Sequence, residues 1–463
     1  MKRVMLINPN TTEVYQSSKV KYSVPQYPPL NLLIIGGALK EERHKVKLVD
    51  LDVIENDIFE TLKKEIQEFQ PEIVGITFTS ALYSQCMKTI EIIRKHVPDA
   101  LIVAGGAHAS SEPKSVLEKD IDIAIMGEGD YALNEIIKYD LKDLKGIAYK
   151  NENGEIIVNP PRPFEKDLDK TPLPDYDLVD IHAYKVPYTL RRTTPVAPLE
   201  TSRGCLFGCV YCTKSVQGRT FRVKSPQKVV EEIKALKERG YREFHIVDDM
   251  FTTFPSRAKE ICKLLIEDNV DMTWMCSNGI RVNSVSEELL RLMKKAGCYS
   301  ISFGVESGND KILKRIDKAA TTDEARNAIK LCKKVGIQAI CFFMFGLPDE
   351  TEENLRETLD FAKELDPDIA KFDIMIPLPS TIIYEEWKGK YIESYNWDDY
   401  AFHKRKPVYN HPNLDWETLN RYYHKAYREF YLLRPSYILK RVIKSTLQGN
   451  LFKDINMFMK TRF

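Results

Sequence analysis

The sequence has no long apolar run, so no segment is expected to span a bilayer. It has no surplus of charge: Lys and Arg number 68 against 67 Asp and Glu, a net charge of +1, which leaves no global field to draw in nucleic acid. The opening Met1-Lys-Arg-Val-Met-Leu-Ile is too short for a secretory signal and reads as a first strand. The nine cysteines are an odd number, which does not suit a disulfide framework and points to a reducing compartment where thiols bind metal or pack in the core. The expected location is the cytoplasm. A solenoid period is also missing.

What is present is alternation. In the first 140 residues, strands are expected at Val4–Ile7, Val46–Val49, Ile73–Phe78, Leu101–Ala104 and Ile121–Met126. Helices fall at Leu30–Lys40, Ile58–Phe69 and Met87–Arg94, with another starting near Tyr131. This is the pattern of a doubly wound α/β sheet whose ligand lies beyond the C-terminal strand ends. Those ends are small, polar and glycine-rich: Asn8-Pro-Asn, Thr79-Ser-Ala-Leu, Gly105-Gly-Ala-His and Gly127-Glu-Gly-Asp. Residues 141–197 then read as a hairpin over Lys145–Val158 followed by a proline-rich linker. Alternation resumes over 198–390. Strands are expected at Pro198–Thr201, Phe244–Val247, Thr273–Cys276, Ser300–Gly304, Gln338–Phe343 and Ile369–Ile374, which makes a partial (β/α)6 barrel. Residues 391–463 form an aromatic, basic, helical segment with ten Lys and Arg against two acids from Arg421 onward. Two readings of this tail stand: a helix docked on the barrel, or a basic amphipathic surface on an anionic membrane.

The chemistry centres on Cys205-Leu-Phe-Gly-Cys209-Val-Tyr-Cys212, just after the first barrel strand. Three thiolates on one loop can reach three corners of a cubane cluster and leave the fourth open. Gly204 and Gly208 let the loop wrap, and Arg203 is expected to put positive charge beside it. Structural zinc wants a second cysteine pair, and none exists; the other six cysteines read as core residues.

Thr201-Ser-Arg-Gly-Cys-Leu-Phe-Gly-Cys-Val-Tyr-Cys resembles the signature of the radical SAM superfamily. The resemblance implies a [4Fe-4S] cluster on Cys205, Cys209 and Cys212. It implies S-adenosylmethionine (SAM) chelating the open iron, and reductive cleavage to methionine and a 5′-deoxyadenosyl radical. Tyr211 matches the aromatic position near adenine. Phe244-His-Ile-Val-Asp248-Asp249 sits where the family has its second-strand motif for the SAM amino group, although it departs from the usual Gly-Gly-Glu form. Asn278, Arg281, Glu306 and Ser307 resemble later-strand contacts to the ribose and methionine ends. Phe345-Gly346-Leu-Pro resembles the sixth-strand motif beside the adenine. By itself, a buried Glu306 reads more readily as the structural partner of a nearby Arg.

The first domain resembles the cobalamin-binding domain of cobalamin-dependent radical SAM enzymes. Ser80-Ala-Leu82 and Gly105-Gly106 match its Ser-x-Leu and Gly-Gly motifs, with Ser80 expected to meet the nucleotide tail. Asn8, Gly127, Glu128 and Gly129 complete the expected cofactor-binding set. The motif Asp-x-His-x-x-Gly is missing, so the resemblance implies a base-off cobalamin. His108 reads either as a pocket residue or as a loop histidine facing solvent. A methylthiotransferase arrangement would need three cysteines in the first domain, which has only Cys86.

The resemblance implies methyl transfer to an unactivated carbon of a small-molecule or lipid-like substrate, with a ferredoxin or flavodoxin as electron donor and no nucleic acid. The alternatives are a cyclase, ring-contraction or oxidation enzyme using the same cofactors, and a non-catalytic iron–sulfur sensor or electron carrier.

Overall fold

The computed structural model describes residues 1–11, 14, 24–401, 406–447 and 449–460. Short apolar runs become strands and amphipathic runs become helices, as the periodicity requires. The first sheet contains β1 (Arg3–Asn8), β2 (Lys45–Asp50), β3 (Ile73–Thr77), β4 (Leu101–Gly105), β5 (Ile123–Ile125), β6 (Ile147–Lys150) and β7 (Ile156–Val158). Their order is β2-β1-β3-β4-β5-β6-β7. β1 to β5 pair in parallel, whereas β6 and β7 add antiparallel. The hairpin expected in the linker therefore extends the first sheet. The helix expected from Met87 starts earlier, at Tyr83, straight after a 3₁₀ turn over Ser80–Leu82.

The second sheet contains β8 (Val196–Leu199), β11 (Glu243–Ile246), β12 (Thr273–Ile280), β13 (Cys298–Glu306), β14 (Gln338–Phe345) and β15 (Ile369–Ile374). All neighbours are parallel and follow chain order, so β8 and β15 are the two edges of an open barrel. Between β8 and β11, two short strands, β9 (Ser202–Arg203) and β10 (Arg222–Val223), pair antiparallel and pinch the cysteine loop shut. Two-residue ladders have no periodicity, which is why the sequence does not announce them.

At the N-terminal end of the barrel, buried Glu243 accepts hydrogen bonds from Tyr299 Oη (2.7 Å), Thr273 Oγ1 (2.8 Å) and the backbone of Arg192 and Thr193. His245 joins Glu243 at 2.8 Å, and Tyr27 Oη lies 2.6 Å from His245 Nδ1. This polar plug ties the segment before the first helix to the barrel floor.

The C-terminal helix Trp416–Tyr427 packs on β14 and β15, and its aromatic face closes the outer core. It also answers the exposed edge of β15. Tyr431 Oη accepts from Ala370 N (2.9 Å) and donates to Ala370 O (2.6 Å); Tyr427 Oη does the same at Phe372, at 3.2 Å each way. Side-chain hydroxyls thus stand where a seventh strand would pair.

The basic residues of the tail are largely spent inward. Arg421 pairs with Glu352, Lys425 with Glu429, Arg434 and Lys440 with Asp366, Arg441 with Asp454 and Lys444 with Asp368. Leu439, Ile443, Leu447 and Phe452 are exposed instead. Arg462 and the side chains of Phe458 and Lys460 lie outside the described residues. No described helix is long and apolar enough to cross a membrane.

Tyr431→Phe leaves the Ala370 N–H and C=O without their partner. The expected loss is about 1–3 kcal/mol of stability, read as a lower midpoint in denaturant at unchanged slope. An unchanged midpoint would show that water replaces the hydroxyl.

Candidate active site

The cysteine loop leaves β9 through Gly204, whose φ is +79° and where a Cβ would stand 2.3 Å from Thr220 O. At Gly208 a Cβ would stand 2.0 Å from Asp317 Oδ2. Gly204 accepts no side chain without the loop moving, whereas at Gly208 the Asp317 carboxylate would have to turn aside. Val210 N donates to Ile316 O (3.1 Å), which pins the loop to the end of the short helix Asp310–Arg315. Cys205 is buried, and Cys209 and Cys212 are half-buried. Burial pushes the Cys209 thiol up against the pull of Lys318 and Arg281, and pushes Cys212 up against the pull of Lys214. Among the described residues no three His, Cys, Asp or Glu side chains converge on one ion. Three thiols in a loop bordered by Lys214, Arg281 and Lys318 suit an anionic iron–sulfur cluster.

Arg203 does not supply that charge. Its guanidinium is buried and turned away, to Glu200 (2.7 Å), Asp130 (2.5 Å) and Glu128 (3.3 Å). Arg222 meets the same Glu128 at 2.7 Å. Glu128, expected to bind a cofactor, holds two arginines at the junction of the sheets. Lys214 and Lys318, which carry no sequence signal, take the place assigned to Arg203.

Asp248 is fully committed. Its carboxylate accepts from Thr201 N, Thr201 Oγ1 and Ser202 Oγ at 2.5–2.6 Å, holding the turn into the cysteine loop. Asp249 is more open and lies 4.0 Å from Lys214. Asn278 Nδ2 donates to Val247 O (2.6 Å). Arg281 is buried with its guanidinium 3.7 Å from the Phe207 ring centroid. Glu306 ends β13 at φ +70° and pairs with Lys318 at 2.6 Å, so its partner is a lysine and not an arginine. Lys318 also reaches Tyr211 Oη at 3.4 Å. Glu306, Lys318 and Tyr211 are thus brought together beside Cys209. Ser307 is turned elsewhere, 3.2 Å from Thr358 Oγ1. Phe345 is buried on the helix side of β14, stacked on Phe372. Its motif follows the fifth strand of the barrel, not the sixth, and Gly346 abuts Tyr409.

The C-terminal ends of the first sheet border a cavity of about 290 Å³. Gly105, Gly106, Gly127, Glu128 and Gly129 line one side; Arg203, Gln217 and Val247 of the barrel line the other. A Cβ at Gly105 would meet nothing within 4 Å, so the backbone there opens on free space. Gly106 differs: its φ is +95°, and a Cβ would stand 2.7 Å from Thr77 Oγ1 and 2.8 Å from Phe78 O. The open backbone at Gly105 fits the close passage of a cofactor tail.

Asn8 donates to Asp50 (2.8 Å), and Leu82 is buried. Ser80 Oγ is 2.9 Å from His108 Nδ1, and Ser115 Oγ is 3.3 Å from His108 Nε2. His108 is fully buried against Phe78, Tyr83 and Trp397, and burial pushes it down to about 4. The solvent-facing reading of His108 is therefore wrong. With both ring nitrogens engaged, it is no metal ligand either, and the Ser80 hydroxyl is turned to it.

Glu128→Ala strands Arg222 without its carboxylate in a buried junction. The expected cost is about 3–5 kcal/mol, read by chemical denaturation; a cost below about 1 kcal/mol would place the junction's stability elsewhere.

Comparison with known proteins agrees with this geometry. The Radical SAM superfamily model matches residues 199–362, and the B12 binding domain model matches residues 20–137. An uncharacterised methyltransferase of Pyrococcus horikoshii is 34% identical over 427 residues, covering 90% of each chain. The anaerobic magnesium-protoporphyrin IX monomethyl ester cyclase of Rubrivivax gelatinosus is 29% identical and covers 86% of this chain and 72% of its own. Among solved structures, a radical SAM methyltransferase from Kitasatospora setae with cobalamin and a [4Fe-4S] cluster bound superposes with a TM-score of 0.68. It is 22% identical and covers 83% of this chain and 78% of its own, a likeness of fold. The chain belongs to the cobalamin-dependent radical SAM enzymes.

Proposed function

We propose that this enzyme replaces a C–H bond of its substrate by C–CH₃ at an unactivated carbon. The observation that carries the reading is the shared cavity: the glycine-lined ends of the first sheet and the root of the cysteine loop form opposite walls of one space. When bound there, the cluster supplies the electron that splits SAM, and cobalamin supplies the methyl group.

The chain's own part is to hold and orient. Cys205, Cys209 and Cys212 hold the cluster. Tyr211, Asn278, Arg281, Glu306 and Lys318 border the SAM side, with the Glu306–Lys318 pair keeping two buried charges compensated until SAM's ammonium and carboxylate enter. Asp248 acts through Thr201 and Ser202, fixing the entry to the loop. Gly105, Gly127 and Gly129 let the cobalamin tail lie against the backbone. His108, engaged by Ser80 and Ser115 on its two ring nitrogens, would hold the Ser80 turn in place rather than offer a free imidazole to the cofactor. A small ferredoxin or flavodoxin would serve as electron donor. Any contact of the helices Pro435–Leu447 and Leu451–Lys460 with a membrane would be mainly apolar, since Lys440, Arg441 and Lys444 stand in ion pairs.

A second reading keeps the cofactors and changes the outcome, to a cyclisation or oxidation. The likeness to the Rubrivivax cyclase favours it. Product mass separates the two, because only methyl transfer adds the SAM methyl group.

Two outcomes are expected. Replacing Cys205, Cys209 or Cys212 by Ala abolishes the reducible cluster signal and 5′-deoxyadenosine formation, whereas Cys262→Ala and Cys332→Ala retain both; full SAM cleavage by any one of the first three would break the ligand assignment. Gly105→Val weakens cobalamin binding at unchanged thermal stability, because its side chain would enter open space. Gly106→Val lowers stability itself, because its Cβ would strike β3 and the turn after it. Equal cobalamin titrations for Gly105→Val and the parent protein would move the tail away from Gly105. The bound cobalamin is expected to show a base-off spectrum.

A further inference from the structure

A second cavity, of about 450 Å³, lies inside the barrel. Met275, Ser302, Phe342 and Lys371 line it from successive strands, β12 to β15. The gap between the edge strands β8 and β15 is covered from outside the barrel, by Tyr27 and Leu190. The chamber is partly open, and among the described residues its lining contains a single charged side chain, Lys371.

Lys371 is unusual in this protein. The buried lysines of the barrel stand in ion pairs, Lys224 with Glu232 and Lys318 with Glu306. Lys371 has no hydrogen bond and no carboxylate within 4.0 Å among the described residues; its only close electronic contact is the Phe342 ring, 5.4 Å away. Ser302, two strands over on the same wall, likewise offers a hydroxyl with no partner among the described residues. Burial pushes the Lys371 ammonium down, against the pull of Asp373 on the same strand. Taking a cation out of water without an anion is costly. A chamber that retains such a cation beside an idle hydroxyl and an apolar wall is complementary to a ligand with one anionic end and an apolar body.

We propose that Lys371 anchors an anionic group, a carboxylate or a phosphate, on the substrate methylated in this barrel. The inference rests on the methyl-transfer reading and deepens it. The anion lies against β15, the apolar part lies along Met275 and Phe342, and the anchor sets which carbon faces the cofactors. Lys371 is a substrate-binding residue and takes no part in splitting SAM.

The test uses the full chain loaded with cluster and cobalamin, a reductant, SAM with a deuterated methyl group, and a small-molecule extract of source cells from which the gene has been deleted. The expected product carries the deuterated methyl and is retained by an anion exchanger at neutral pH. Loss of retention after phosphatase assigns a phosphate; loss after esterification assigns a carboxylate. With that product's precursor purified, Lys371→Met is expected to raise KM about tenfold to a hundredfold with a smaller change in kcat, the worth of one charge-assisted hydrogen bond. Lys371→Arg is expected to restore KM to within a few fold. Cobalamin and cluster content check that the variants are folded, and product retention tests the proposal even if Lys371→Met is not. A product that passes through the exchanger, or an unchanged KM in Lys371→Met, overturns it. If SAM is cleaved but no deuterated product forms, methyl transfer fails. The extract compound that is consumed then takes the same retention and KM tests, and Lys371 stands or falls on those.

Discussion

The junction of the two sheets depends on one buried ion cluster. Glu128 sits in the loop after β5, where the first sheet presents its ligand-facing end. Arg203 and Arg222 sit on β9 and β10, the two short strands that close the cysteine loop. Their contacts at 2.7 Å and 3.3 Å bring the cofactor end of one sheet to the cofactor loop of the other. Such a cluster has small net worth against a well-packed apolar patch, because each ion gives up its hydration. Its value is positional. An apolar patch can slide, whereas two arginines on one carboxylate, with Asp130 and Glu200 completing the set, define a single register. For chemistry that needs two cofactors to face one substrate, a misplacement of about 1 Å is expensive.

The same economy of charge runs through the barrel. Asp248 is spent on the turn into the cysteine loop, Glu243 on the floor, and Glu306 on Lys318. Each buried carboxylate is compensated by hydroxyls, amides or a cation, as burial demands. Against that background Lys371 stands out, and so does the shape of its chamber. The barrel is open between β8 and β15, and the rest of the molecule treats its two sides differently. On the outer side, Tyr427 and Tyr431 satisfy the edge of β15 with hydroxyls, so the barrel needs no further strand. On the inner side, Tyr27, from between β1 and β2, and Leu190, from after β7, pack across the gap. The proposed substrate chamber is therefore lined by strands β12 to β15 together with Tyr27 and Leu190, and no single local motif makes its shape.

The inward pairing of the tail changes how its composition is understood. Ten basic residues against two acids from Arg421 onward suggest a surface for anions. In the fold, Asp366 and Asp368, at the turn before β15, receive Arg434, Lys440 and Lys444. The tail's excess of positive charge answers an excess of negative charge on the barrel rim, some 70 residues earlier in the chain. Composition by segment sees only one half of that balance.

What the sequence determined by itself is the part of the protein governed by local rules. Strand and helix alternation follows from apolar periodicity, so both sheets and their order of elements were legible. The cluster loop was legible because its three cysteines and two glycines lie within nine residues, and Gly105 because the open backbone it supplies is a property of one residue. Only the tertiary structure decided which charges meet. Arg203 reads as a neighbour of the cluster and turns instead to Glu128; Lys318 and Lys214 have no motif and take that position; His108 reads as a loop residue and is sealed between aromatic rings; Phe345 belongs to a matching motif yet faces the helices. Each of these depends on which side of a strand or turn a side chain leaves, and on partners dozens or hundreds of residues away. Short-range pattern fixes hydrophobicity and backbone shape, while the partner of a buried charge is set by the long-range packing that removes its water.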